Sequence, residues 1–73
     1  MAIIDVKTEI TGNVWKVLLE EGASVEEDEP IMILESMKME IPVSAPEGGK
    51  IIEIMAEPDE IVTEGTVVAR IEV

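Results

Sequence analysis

A single ungapped offset relates the two halves of this chain and limits its fold more than any other feature. Moving 37 residues along the sequence carries Ile4 onto Ile41, Val6 onto Val43 and Gly12 onto Gly49. It also carries Glu20 onto Glu57, Val25 onto Val62, Glu27 onto Glu64 and Glu35 onto Glu72. Apolar character survives the shift where identity does not: Val14 meets Ile51, Val17 meets Ile54, Ile31 meets Val68 and Leu34 meets Ile71. One register held across both halves marks a structural repeat. Neither half can bury an apolar face alone, so the two must pack on each other.

Each half reads as four short strands. Ile4, Val6, Thr8 and Ile10 alternate with Asp5, Lys7 and Glu9, the period-2 pattern of a half-buried strand. Gly12 permits a sharp entry into a strand over residues 13–19. Turns follow at Glu20-Glu21-Gly22-Ala23 and at Glu26-Glu27-Asp28-Glu29-Pro30, with Val25 a short strand between them. The second half repeats this order, with strands over residues 50–56, 61–62 and 67–71. The expected fold is all-β, eight short strands in two four-stranded antiparallel sheets over one core. The apolar residues are Ile, Val, Leu and Met broken by Gly, Pro and acidic clusters, which suits strands better than helices.

The halves join at Glu35-Ser36-Met37-Lys38-Met39-Glu40, between the strands Ile31-Met32-Ile33-Leu34 and Ile41-Pro42-Val43. This reads as a hairpin tip with Met37 and Lys38 at its centre. Two-residue hairpin loops prefer Asn-Gly or Asp-Gly, because the turn demands positive φ. Met-Lys breaks that rule, as residues fixed by function do. By the symmetry of the repeat, the chain termini lie together at the far end. Glu35 and Glu40 face each other across the hairpin, and Trp15, next to a core-facing Val14, is at least partly exposed.

Composition removes several functions. The 73-residue chain is one domain, residues 1–73, with no Cys and no His. Disulfides, thiolate or imidazole zinc sites and Ser-His catalysis therefore lack their ligands and bases. Trp15 is the only aromatic residue and the net charge is −12, which argues against stacked bases and phosphate contacts. The apolar runs are too short to span a bilayer. A cytoplasmic protein, monomeric on its own, with no nucleic-acid or membrane partner, is the expectation. The paired carboxylates Glu35 and Glu40 lack a cleft in so small a body, so catalysis by the chain alone is not expected.

Glu35-Ser36-Met37-Lys38-Met39 closely resembles the Glu-Ala-Met-Lys-Met signature of biotin carboxyl carrier domains. Gly49-Lys50-Ile51 and the closing stretch from Val62 to Glu72 are also similar to that family, as is the two-half organisation. The resemblance covers essentially the whole chain. It implies a flattened barrel-sandwich with Lys38 on the tip, joined through its ε-amine to biotin by a biotin protein ligase. It further implies a carrier that is not an enzyme alone, moving carboxylate between biotin carboxylase and carboxyltransferase sites. Met37, Met39 and Glu35 are the residues that would mark the tip for recognition, although Met39 could equally pack beneath the turn. Ser36 replaces the usual alanine, Asp28 and Glu29 stand where glycine is common, and Thr8-Glu9-Ile10 replaces Ala-Pro-Met.

Two alternatives accompany this reading. The sister lipoyl domains carry lipoate on an equivalent lysine, usually in an Asp-Lys-Ala context, and a lipoate ligase would then be the partner. Methionine on both sides of Lys38 favours biotin. From a different class, Glu26-Glu27-Asp28-Glu29 is dense enough to attract Ca²⁺ or Mg²⁺, which would make the chain an acidic cation-binding module. The run lacks the spacing and glycine of an EF-hand loop, and such a run more commonly forms a solvated turn.

Overall fold

A computed structural model describes residues 2–73. Eight strands follow in chain order: β1 (Ile3–Lys7), β2 (Gly12–Val17), β3 (Ser24–Val25), β4 (Pro30–Ser36), β5 (Met39–Ser44), β6 (Gly49–Ile54), β7 (Ile61–Val62) and β8 (Val67–Glu72). No helix occurs among the described residues. The strands form two open four-stranded antiparallel sheets, ordered β1-β8-β6-β3 and β5-β4-β2-β7, and the barrel does not close.

The sequence repeat is the symmetry of this structure. Shifted by the offset, β2 becomes β6 and β3 becomes β7 residue for residue. The same shift, run cyclically, turns the first sheet order into the second. Hydrogen bonds between the halves come in matching pairs. Gly22 N–H donates to the Ile51 carbonyl at 2.6 Å, and its mate Asp59 N–H donates to the Val14 carbonyl at 2.7 Å. Left-handed backbone recurs as well: Gly22 and Asp59 have φ of 94° and 71°, and Asp28 and Gly65 have 67° and 85°. Asp28 thus fills the place that glycine holds in the second half, in a conformation that Asp tolerates better than most residues.

Burial follows the repeat too. Val6 and Val43, Val14 and Ile51, Val25 and Val62, Ile31 and Val68, and Leu34 and Ile71 are all buried mates. Met32 is paired by the repeat with Ala69, a long side chain in one sheet against a short one in the other. These residues form one cluster between the sheets, as expected if neither half is stable alone.

Three details differ from the sequence reading. β1 stops at Lys7, because the buried Thr8 hydroxyl donates to the Ile10 carbonyl at 2.8 Å and accepts from Ile10 N–H at 3.2 Å. Thr8 still exchanges backbone bonds with Thr66 and Gly65, but the turn takes the Ile10 N–H for itself, so the alternation through Ile10 is not a strand. Gly12 is not in the left-handed region and does not serve as a turn former. It is needed for close approach, since a Cβ there would stand 2.8 Å from the Glu35 carbonyl oxygen. Its mate Gly49 packs against Glu72 in the same way.

The third detail concerns Trp15, which is 46% exposed beside a fully buried Val14, as expected, but for a different reason. Simple alternation is not the cause. The β2–β4 register slips between Val14 and Lys16, leaving Trp15 as the extra residue of a β-bulge. Ile52, its mate, occupies the equivalent bulge between β6 and β8. Trp15 emission is therefore expected to lie between those of buried and free indole and to be quenched by acrylamide. A fully buried, unquenched spectrum would contradict the bulge.

Ala2 and Val73 exchange backbone hydrogen bonds of 3.2 and 2.9 Å, so the described termini lie together. β1 leaves that pair, and the chain next meets the β4–β5 hairpin at Gly12, which lies against Glu35 and Ser36. In a body of 37 × 19 × 18 Å, the hairpin tip and the termini take opposite ends.

Candidate functional site

The β4–β5 ladder pairs Glu35 with Glu40 and Ser36 with Met39, which leaves only Met37 and Lys38 to make the turn. Both have positive φ, 53° and 66°. This is the signature of a type I′ turn, whose backbone twist matches that of the flanking strands. The left-handed conformation costs roughly 1–2 kcal/mol for each non-glycine residue. Glycine or asparagine would avoid most of that cost, so the pair Met-Lys is held against local preference by the ladder beneath it. Gly12 adds to the support by letting β2 lie close under Glu35 and Ser36.

The turn aims Lys38 out of the end of the body. Lys38 is exposed, Met37 is 92% exposed and Met39 is 63% exposed. Packing of Met39 beneath the turn, allowed by the sequence, does not occur, because Ser36 and Met39 pair beyond the rung where the core ends, the buried Leu34 opposite the half-buried Ile41. Glu35 and Glu40 are exposed and stand opposite each other, as expected, on the row next to the turn. Like charges so placed are mildly destabilising. Among the described residues the ion pairs are those of Arg70, which lies on the other sheet. The tip therefore presents one primary amine between two flexible thioether side chains, with a carboxylate on each strand behind them.

Other candidate features do not converge on the tip. In the acidic run, Glu29 Oε1 accepts a hydrogen bond of 2.9 Å from Glu26 N–H, capping its own turn. Among the described residues no group of three Asp or Glu side chains is placed to hold a metal ion. A groove of about 400 Å³ does exist, contrary to the expectation of none. It lies between the edge strands β1 and β5, lined by Val6, Thr8, Val43 and Ala45 among others, and includes neither Glu35 nor Glu40. Ile61, 73% exposed on β7, and the support from Gly12 were missed in the sequence. The coincidence of Gly12 with Gly49 in the repeat was the available signal for the second.

Comparison with known proteins gives the same answer over almost the whole length. The model of the family described as biotin-requiring enzyme, Biotin_lipoyl, matches residues 3–71. The chain is 40% identical over 62 residues to the biotin/lipoyl attachment protein of Bacillus subtilis, covering 85% of each. It is 34% identical over 65 residues to the biotinylated protein TB7.3 homolog of Mycobacterium leprae, covering 89% of this chain and 92% of that one. Among solved structures, the urea carboxylase of Kluyveromyces lactis superposes with a TM-score of 0.93 at 32% identity. The match takes in 99% of this chain but 6% of that enzyme, so what is shared is a single small domain. With an all-β sandwich, a repeat that swaps its two sheets and a lysine alone on the connecting turn, the chain belongs to the biotinyl/lipoyl attachment-domain family.

Proposed function

We propose that this chain is a biotin carrier in which Lys38 is the attachment residue. The carrying observation is the tip itself, a lysine held in a costly left-handed turn at the end of the body, between exposed Met37 and Met39. Backbone strain at a solvent-exposed residue persists where surrounding structure enforces it, and it points to use of that residue.

The chemistry asked of the chain is limited. A lysine ammonium has a reference pKa near 10.4, so the amine must lose a proton before it can attack. A biotin protein ligase would supply the acid as an acyl-adenylate. Nζ of Lys38 then attacks the acyl carbon, an amide bond forms, and adenylate leaves as the amine proton is lost. The bound group would supply the carboxyl-transfer chemistry, while the protein supplies position. Met37 and Met39 offer adaptable apolar contacts to successive enzymes. Glu35 and Glu40 give the tip an acidic base that suits a partner carrying Lys or Arg. Tethering raises the effective concentration of the carried group at a carboxylase and then a carboxyltransferase site. A cytoplasmic location and a monomeric state complete the reading, the latter favoured by self-repulsion at a net charge of −12.

Intact mass of the protein purified from its own host tests the proposal. Addition of one biotinyl group, mapped to Lys38 by fragmentation, is the expected result. A lipoyl group on Lys38 would replace the biotin assignment, and modification at Lys7, Lys16 or Lys50 would overturn the choice of residue.

A further inference from the structure

The repeat builds two outward faces on one backbone plan, so chemical differences between them are not imposed by the fold. On the β1-β8-β6-β3 face, Arg70 of β8 donates from Nε to Asp5 of β1 and from Nη1 to Glu53 of β6, both at 3.0 Å. Registers place the three side by side across the sheet. On the other face the same places hold Ile33, Pro42 and Lys16, again adjacent across β4, β5 and β2. Trp15 stands next to them in its bulge, with the Lys16 ammonium 5.3 Å from the ring centroid. One strand further, Ile61 is opposite Asn13 and 73% exposed, where its mate is Ser24. The first face closes its charges on itself. The second leaves an apolar centre, bordered toward the tip by Glu35 and Glu40.

Apolar surface of this kind, with an aromatic residue at its middle, marks sites of protein contact. The charge of the chain selects among occupants. A second copy would bring another −12, and nucleic acid or an anionic membrane would be repelled for the same reason. A protein with an apolar contact ringed by Lys or Arg is complementary. The strands β4 and β5 that make up half of this face run directly into the Lys38 turn, so a protein seated there is within reach of the amine. We infer that the outer face of the β5-β4-β2-β7 sheet, centred on Trp15 and Ile33, is the surface by which the ligase that acylates Lys38 holds the chain. The inference rests on the proposed function.

The repeat supplies its own control, because Trp15 and Ile52 occupy equivalent bulges on the two faces. Purified unmodified protein would be assayed with a biotin protein ligase, comparing Trp15→Ser, Ile61→Ser and Ile52→Ser, each checked for native circular dichroism. Trp15→Ser is expected to raise KM about tenfold or more with kcat little changed, the pattern of lost binding common to ground and transition states. Ile61→Ser should move KM in the same direction, and Ile52→Ser should leave it within about twofold. Equal KM values for Trp15→Ser and Ile52→Ser would overturn the inference. Docking is also read without chemistry, by titrating the wild type with ligase lacking ATP and following a blue shift of Trp15 emission. Unmodified wild type that still shows the shift would sink the proposed function but keep the docking face. An unshifted spectrum with normal transfer would sink the docking face alone.

Discussion

Lys38→Arg is expected to abolish biotinylation completely while changing stability by no more than about 0.5 kcal/mol. Both halves of that expectation come from the turn. Arginine is unbranched at Cβ like lysine and meets the same cost at a φ of 66°, so the backbone strain of the tip is unchanged. The side chain is exposed and makes no ion pair among the described residues, so no contact is lost in the fold. What changes is the nucleophile. A guanidinium stays protonated at any accessible pH and cannot attack an acyl-adenylate as a free amine does. Streptavidin blotting and intact mass after co-expression with a biotin ligase would read the result. Biotin persisting on the Lys38→Arg protein would refute the assignment of the residue, as would a melting temperature shifted by more than a few degrees for its structural half. The remaining lysines, Lys7, Lys16 and Lys50, lie on strands rather than on a two-residue turn and serve as internal controls within the same molecule.

The features legible in the sequence are those that the repeat records. β2 and β6, and likewise β3 and β7, have matching bounds because identical backbone roles recur at a fixed spacing. The hairpin and its lysine were legible for a related reason: the joint between the halves has no counterpart in the repeat except the termini. Bulges were not legible. Strict alternation from Val14 would turn Lys16 inward, and the slip that keeps both Trp15 and Lys16 exposed shows only when β4 is laid beside them. The end of β1 was hidden because Thr8 has strand propensity but uses its hydroxyl on Ile10. Exposure of Met39 depends on where the core stops along the hairpin, at the Leu34 and Ile41 rung, which composition does not reveal. The groove between β1 and β5 arises from two sheet edges that do not pair, a consequence of the open sandwich and not of any motif.

The repeat also makes a quantitative demand on the core. Leu34 on β4 and Ile71 on β8 are mates, and both are fully buried in the cluster between the sheets. Truncating either to alanine removes three aliphatic carbons and leaves a cavity, at a cost of about 2–5 kcal/mol. The whole domain, at about 0.05–0.15 kcal/mol per residue, should hold only about 4–11 kcal/mol. Leu34→Ala and Ile71→Ala should therefore each lower the melting temperature by roughly 10 °C or more, by similar amounts. The double variant should be largely unfolded at room temperature. Thermal and urea denaturation would measure this, and a loss under about 1 kcal/mol for either single variant would mean that the two sheets do not share one tightly packed core. The two variants should part company in function. Leu34 pairs with the buried Val14 and the half-buried Ile41 where the core ends below the Lys38 turn, whereas Ile71 pairs with Ile4 and Ile51 near the termini. A cavity under the tip loosens the ladder that holds Met37 and Lys38 in left-handed backbone, while one at the far end does not. Well below both melting temperatures, Leu34→Ala should accept biotin more slowly than Ile71→Ala. Equal rates would show that the ligase reads the tip without needing its backbone held in advance.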